Sequence, residues 1–511
     1  MLVKISVLFI YVGILFLIGY VASRRIRSMS DFYVGGKSIG YWAVAFSARA
    51  TGESGWLLIG VTGMGALAGV SAYWIVLGEV LGVAVSWLYM AKPFKRQTDF
   101  FNSITVPDYL DSRFKTRGQY LRIISALVLA VFVTIFVSSQ IDATGIAFES
   151  FLGMNYFYGA LLGFGIVLIY IFVGGFVAVV WSDLFQGLLM FFGLLLLPIV
   201  VLLNWGGPVS IGADLSAIDP MLTNIWGIYE DPWMNFFAIL GFAMIGLGFL
   251  GSPQVYIRFI SIKSELQIKK GRRVAILFTL LTDAAAVTIG LLARIIFTEA
   301  GQDPESILGV GGADVMRMLT EYAFPLFLVA IYIAIVLSAI MSTVDSLLVL
   351  ASSAIVRDFY QKIFHPEVKD AQLTKMSRII TVVMALVALA LAMSIAIFSP
   401  ERQIFWVIIF GWSGIAATFC PVIILALFWR GYSETGAIAS MISGFLCVPL
   451  FKFYFQNLDY WGDYFVQLDV LMPSFMIALF MGWLFSLLYP PNQATRNVLD
   501  KVPETEQGPA K

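Results

Sequence analysis

Apolar runs of about 20 residues, each long enough to cross a hydrocarbon core of roughly 30 Å, follow one another from residue 3 to within a few dozen residues of the C-terminus. Short polar stretches separate them, and the pattern predicts about thirteen membrane-spanning helices. Two spans are interrupted. Residues 45–56 (AFSARATGESGW), in the second, are polar, small and charged where a lipid-facing helix would be apolar. Residues 246–253 (GLGFLGSP), in the seventh, bring together three glycines and a proline, which weaken a helix and remove one backbone donor. In lipid an unpaired backbone group or an ionised side chain is costly, so such stretches face protein, water or a bound solute. Two interrupted spans five helices apart are the mark of inverted repeats in secondary transporters, which bind solute and ion at unwound backbone near the bilayer midplane. Two kinked, closely packed helices are the plainer alternative.

The loops set an orientation. Residues 3–21 run into Arg24, Arg25 and Arg27 without a small-residue cleavage site, which predicts a retained helix with its N-terminus outside. Alternating from there, Lys92, Lys95, Arg96, Arg113, Lys115 and Arg117 fall inside, as do Lys263, Lys269, Lys270, Arg272 and Arg273, and then Arg357, Lys362, Lys369 and Lys375. Asp214, Asp219, Glu230, Asp231, Asp303, Glu305 and Asp314 fall outside. The C-terminus is then cytoplasmic, and the polar tail from 491 is expected to be disordered. Composition agrees with a polytopic membrane protein: 511 residues, 60% hydrophobic and only 13% charged, with no net charge to attract nucleic acid.

Chemistry concentrates in few places. The ninth span reads LSAIMSTVDSLLVLASS over residues 337–353, where Ala339, Ser342, Thr343 and Ser346 share a helix face bordered by Asp345. Hydroxyls, a carboxylate and exposed carbonyls suit a hard cation such as sodium; hydroxyls bonded to their own helix carbonyls are the alternative. Asp183 is a second carboxylate to explain, with a helix N-cap at the cytoplasmic surface as one reading. Glu79, Asp142 and Asp283 are further carboxyls in apolar segments, and Arg49 and Glu53, one turn apart, form a structural pair or touch solute directly. Trp56 follows the break, where its ring either covers a solute or packs. One histidine, His365, lies in a polar loop, and both cysteines, Cys420 and Cys447, sit in apolar segments, so neither a histidine-based metal centre nor a nucleophilic enzyme site is offered.

AFSARATGESGWLL, ITVPDYLDSRF, IFVGGFVAVVWSD, GLGFLGSPQVYIRF and MSTVDSLL with SSAIVRDFY occur in order along the chain, which resembles the sodium:solute symporter family, nearest its sodium/proline branch. The resemblance implies an all-α leucine-transporter-like core of two inverted five-helix repeats over 39–430, an extra N-terminal helix and loop over 1–38, extra helices over 431–490 and a tail over 491–511. It implies a sodium site formed by the carbonyls of Ala50, Glu53 and Ala339 with the hydroxyls of Ser342 and Thr343. A second sodium set, known in some members, falls on Asp183, Asp345 and Ser346, with Asp345 standing where those members carry serine. The implied solute pocket comprises Thr51, Ser54, Gly55, Trp56, Phe136, Gln140, Phe249 and Pro253, and Asp142 near it is a further candidate for a substrate amine or hydroxyls.

This chain departs from proline symporters at Gly52 and Glu53, where they carry an Asp-Met pair, and at Phe136, Ile245 and Phe249, where they carry tyrosine, tryptophan and tyrosine. The expected function is sodium-coupled import of a small polar solute across the plasma or bacterial inner membrane, an amino acid such as proline first. A sugar or another organic carboxylate, and a solute sensor without net transport, are the alternatives, while proton coupling through Glu53 or Asp142 is a variant of the first.

Overall fold

The computed structural model describes residues 2–24, 29–115, 118–171, 175–205 and 208–503. Arg25, Arg27, Arg117, residues 172–174 of the IFVGGFVAVVWSD run and the tail beyond 503 lie outside the described residues. The described residues are mainly helical, with α1 (Leu2–Ser23), α2 (Tyr41–Gly55), α3 (Thr62–Ala68), α4 (Tyr73–Val85), α5 (Tyr120–Leu152), α6 (Tyr156–Ile171), α7 (Phe176–Trp205), α8 (Pro232–Met244), α9 (Pro253–Ser261), α10 (Glu265–Phe297), α11 (Leu326–Ser353), α12 (Asp370–Phe398), α13 (Ile404–Phe428), α14 (Glu434–Phe453) and α15 (Leu471–Leu488) joined by shorter helices and turns.

Among the described residues, eleven helical stretches are long and apolar enough to cross a membrane, fewer than the thirteen expected. One of the eleven runs from Tyr41 to Phe100, 60 residues, about 90 Å if straight. It turns at Gly69, whose φ of 62° suits glycine and whose missing Cβ leaves room for the carbonyl of Leu222. Helix α6 is apolar but is not one of the eleven, its stretch Tyr156–Leu168 being shorter. A count of thirteen requires the long stretch to cross twice and α6 once.

Helix α11 is the centre, buried from Val329 to Ser353 with few interruptions and packed against α1, α2, α5 and α7. The large apolar side chains exposed on α1 (Phe9, Ile10, Leu17), α12 (Val383, Leu386, Val387) and α15 (Phe480, Trp483, Leu487) form the lipid-facing rim. The C-terminal stretch differs from expectation. Residues Gln493–Leu499 are helical, because Asn492 caps the helix by accepting the Thr495 amide at 2.8 Å and the Thr495 hydroxyl docks on the carbonyl of Phe114 at 2.8 Å.

Both interrupted spans are broken, the second at its glycines and the first at Ser54. The first is helical through Glu53, departs at Ser54 (φ 51°, ψ −170°) and continues through a wide turn over Trp56–Val61 into α3. Gly52 keeps helical geometry, and its role is space, since a Cβ there would sit 2.8 Å from the ring of Phe249. The second passes from α8 into a tight 3₁₀ turn over Ile245–Leu250 and restarts at Pro253, a residue suited to the first helical position. A Cβ on Gly246 would lie 1.9 Å from the carbonyl oxygen of Gly78 and one on Gly82 would lie 2.1 Å from that of Gly246, so α4 lies backbone to backbone against this turn. The two spans are also clasped at one end, where the Ile39 amide donates to Ser261 O (3.1 Å) and the Lys263 amide to Ile39 O (3.0 Å).

Candidate functional site

The face predicted on α11 meets the break in the first span. The Ser342 hydroxyl donates to the carbonyl of Ala50 at 2.9 Å and lies 3.0 Å from that of Ala339; the Thr343 hydroxyl donates to the carbonyl of Thr51 at 3.0 Å and lies 3.2 Å from that of Ala339. All of these residues are buried. The result is a cluster of neutral oxygens from two spans, free of sulfur and imidazole, and both hydroxyls can rotate their protons away to present lone pairs. That donor set fits a hard monovalent cation. Nearby, the Gly55 amide donates to Gln140 Oε1 at 3.1 Å and the Trp56 amide to Ser54 Oγ at 3.1 Å, so the departure from helical geometry is held by side chains. The carbonyl of Glu53 accepts the Trp56 amide, while its side chain turns away from these oxygens.

The second sodium set is assembled differently from the expectation. Asp183 is fully buried inside α7, which removes the surface N-cap reading. Its Oδ2 accepts the Ser47 hydroxyl at 2.6 Å and pairs with Arg258 Nη2 at 3.0 Å. The same Arg258 group donates to Thr51 Oγ1 at 2.7 Å and to Ser346 Oγ, and Ser346 lies 3.0 Å from Thr51 Oγ1. Asp345 accepts the Ser346 hydroxyl at 3.3 Å. A guanidinium therefore stands among Asp183, Thr51 and Ser346, so these polar groups already hold a fixed positive charge. For Thr51 this corrects the solute-lining assignment: its hydroxyl accepts from Arg258, and Thr51 is absent from the lining of the cavity beside Trp56.

A narrow cavity of about 10 Å³ opens on the broken stretch and is lined by Gly52, Ser54, Trp56, Glu79, Phe136, Ile245, Ile408, Ile409 and Trp412. Ser54, Trp56 and Phe136, expected in the solute pocket, line this cavity. Phe249 lies directly behind, its ring 5.0 Å from that of Trp412, and Gln140 and Gly55 hold the wall by the bond between them. Pro253 is buried at the start of α9, outside the lining.

Asp142 is not in this pocket. Arg402 binds it through two nitrogens, one of them at 2.7 Å, and the Tyr156 hydroxyl donates to it at 2.6 Å. Arg402 and Tyr156 line a separate, wider cavity with Asp314 and Arg317. Along a helix, residues two apart point roughly 200° away from each other, so when Gln140 faces the break Asp142 faces away.

Arg49 has more partners than the single pair predicted. Its Nη2 lies 3.0 Å from Glu53 Oε1, 3.3 Å from Glu79 Oε2 and 4.0 Å from Asp283 Oδ1, with the Thr282 hydroxyl donating to Glu53 at 2.9 Å. Its guanidinium also covers the Phe249 ring at 4.7 Å. Sequence reasoning gave no role to Arg258 or Trp412. An arginine inside the apolar run QVYIRFI was the available signal for the first; Trp412 carries none that separates it from the other aromatics.

Residues 32–444 match the model of a family described as the sodium:solute symporter family. A high-affinity proline transporter, PutP, of Bacillus subtilis (strain 168) is 33% identical over 494 residues, covering 96% of this chain and 99% of that protein. A sodium/proline symporter of Escherichia coli (strain K12) is 34% identical over 447 residues, 87% of this chain and 86% of that one. Among solved structures, a Na+-coupled sialic acid symporter in a substrate-bound outward-open state superposes with a TM-score of 0.74 at 19% identity, covering 96% of this chain and 98% of that one, a likeness of fold.

Proposed function

The chain belongs to the sodium:solute symporter family, and on that premise we propose that this multi-pass membrane transporter imports a small polar solute with sodium, an amino acid such as proline. The observation that carries the reading is the meeting of Ser342 and Thr343 with the carbonyls of Ala50 and Thr51 at the broken span. In this reading sodium is held by the carbonyls of Ala50, Glu53 and Ala339 and the hydroxyls of Ser342 and Thr343. Because those ligands belong to two different spans, occupancy by the ion fixes α11 against α2 and sets the walls beside it. A ligand that binds one arrangement more tightly shifts the population toward it, which is the whole of the coupling.

The solute sits in the cavity beside Trp56. Its walls of Phe136, Ile245, Ile408, Ile409 and Trp412 suit an apolar ring or side chain, while Ser54 offers a polar contact. One sodium accompanies each solute, since the Arg258 guanidinium stands in the set expected to hold a second. The membrane is the plasma or bacterial inner membrane, with the N-terminus outside and the C-terminus cytoplasmic, as the basic loops indicate.

The test is uptake of a radiolabelled panel, proline, other amino acids, sugars and organic carboxylates, into proteoliposomes under an imposed sodium gradient. Accumulation of one class that collapses when the gradient is removed supports the reading. A panel that never responds to sodium removes it, and sodium-dependent uptake of a sugar moves the solute class.

A further inference from the structure

Among the described residues, the solute cavity has one charged side chain in its lining, Glu79 on α4, a residue outside the set that the family resemblance implied. Close backbone contact puts it there. A Cβ on Gly246 would meet the carbonyl oxygen of Gly78 at 1.9 Å and the amide nitrogen of Glu79 at 3.1 Å, so α4 lies flush against the turn that carries Ile245. Arg49 Nη2 lies 3.3 Å from the Glu79 carboxylate and closer, 3.0 Å, to that of Glu53. One guanidinium divided between two carboxylates leaves Glu79 with only part of a counter-charge. Arg49 itself covers Phe249 and is not in the lining, so the cavity wall carries a negative group without a positive one.

A second observation points to a ligand. Trp56 lines the same cavity, is 3% exposed, and its indole N–H meets no acceptor among the described residues. That nitrogen can only donate, and a buried donor left unpaired is destabilising, so a carboxylate oxygen brought by the solute would satisfy it. Gln140 Nε2 is a second buried donor in the same condition, on the side chain whose Oε1 accepts the Gly55 amide at 3.1 Å.

We propose that Glu79 sets the solute class: its carboxylate binds the protonated amine of the solute, the Trp56 N–H donates to the solute's carboxylate, and an apolar ring or side chain lies against Phe136, Ile245 and Trp412. The inference rests on the transport reading above and narrows its cargo to zwitterionic amino and imino acids. A sugar brings no charge to either group, and an organic carboxylate without an amine meets Glu79 as a like charge. Asp142, the carboxyl expected near the pocket for a substrate amine, is held by Arg402 and Tyr156 instead. At about 10 Å³ the cavity is no larger than one water, so its walls part to admit the ring; Ser54 and Trp56 belong to the first broken stretch and Ile245 to the second, which ties admission of the solute to both breaks.

The experiment uses the full-length protein in proteoliposomes under a sodium gradient, with radiolabelled proline as the probe and two competitors that each lack one charge: cyclopentanecarboxylate, without the amine, and pyrrolidine, without the carboxyl. In the parent, unlabelled proline is expected to compete better than either by roughly tenfold or more. Glu79→Gln should raise the KM for proline by a similar factor, with kcat less affected, and leave competition by cyclopentanecarboxylate unchanged or stronger. Glu79→Asp, which keeps the charge, should retain the selectivity. Trp56→Phe, which keeps an aromatic ring and removes the N–H, should weaken proline and leave pyrrolidine unchanged. A merely structural role for Glu79 would weaken all three compounds alike; that result, or a Glu79→Gln variant with the parent's KM and selectivity, overturns the proposal. Should Glu79→Gln fail to fold, the parent still decides, because cyclopentanecarboxylate competing as well as proline overturns it. If another amino acid is the one accumulated, its desamino and decarboxylated analogues replace the two competitors. Sodium-driven uptake of a sugar with every amino acid inert overturns the amine assignment and leaves symport standing. If no solute responds to sodium, the transport reading fails, and equilibrium binding of proline and the two analogues to the purified protein decides Glu79: selective binding of proline that weakens in Glu79→Gln supports it, and equal binding or none overturns it.

Discussion

The hydroxyl of Ser342 lies 2.9 Å from the carbonyl oxygen of Ala50, a contact that joins residues 292 positions apart and sets the centre of α11 on the broken end of α2. A serine in a membrane helix ordinarily bonds its own backbone, and Ser342 does so too, at 3.0 Å to Ala339. The bond across the interface is what makes the place a site: oxygens of two spans converge, so an ion held there has a stake in how the spans are arranged.

The buried pair of Arg258 and Asp183 makes a first prediction. Removing one partner of a fully buried ion pair leaves an uncompensated charge, at a cost of about 3–5 kcal/mol. Asp183→Asn should therefore lower the melting temperature sharply, and Asp183→Asn with Arg258→Gln should recover much of the loss. Equal stability of parent and Asp183→Asn in detergent would show that the pair is not formed as described.

Close backbone contact makes a second. Gly246→Ala places a methyl group 1.9 Å from the carbonyl oxygen of Gly78, so α4 and the 3₁₀ turn must separate, costing at least about 1–3 kcal/mol. Gly13→Ala, with nothing within 4 Å, should be neutral. Size-exclusion profiles and melting temperatures distinguish the two, and equal behaviour would refute the close approach.

Asp108, in the short helix Val106–Phe114, predicts a pH dependence. Its burial alone would raise the carboxyl, but Arg357 and Arg122 outweigh it and hold the group below its ordinary value. Such a group contributes stability above its unfolded value of about 4, and that contribution is lost as pH falls through the lower folded value. The melting temperature of Asp108→Asn should thus lie below that of the parent at neutral pH and fall less on acidification. Parallel curves would count against the ion-pair network of Asp108, Arg122 and Arg357.

Much of this arrangement is legible in the sequence for local reasons. The two interrupted spans show because Gly, Pro and charge break an otherwise apolar pattern, and the Ser342–Thr343 face shows because helical spacing puts those residues on one side. What is not legible depends on distant chain. Thr51 reads as pocket-lining until Arg258 arrives from α9 to take its hydroxyl, and Asp142 reads as pocket-facing until Arg402, 260 residues on, claims its carboxylate. The pivot falls on Ser54 rather than on a glycine because Gly52 is reserved for contact with Phe249, a constraint set by another span.

The most direct test of the central claim is the sodium dependence of equilibrium binding of radiolabelled proline to the purified protein, parent against Ser342→Ala with Thr343→Ala. The account predicts that the sodium concentration for half-maximal binding rises roughly tenfold or more, a loss of at least about 1.4 kcal/mol, while binding at saturating sodium persists. An unchanged sodium dependence in a folded double variant would contradict it.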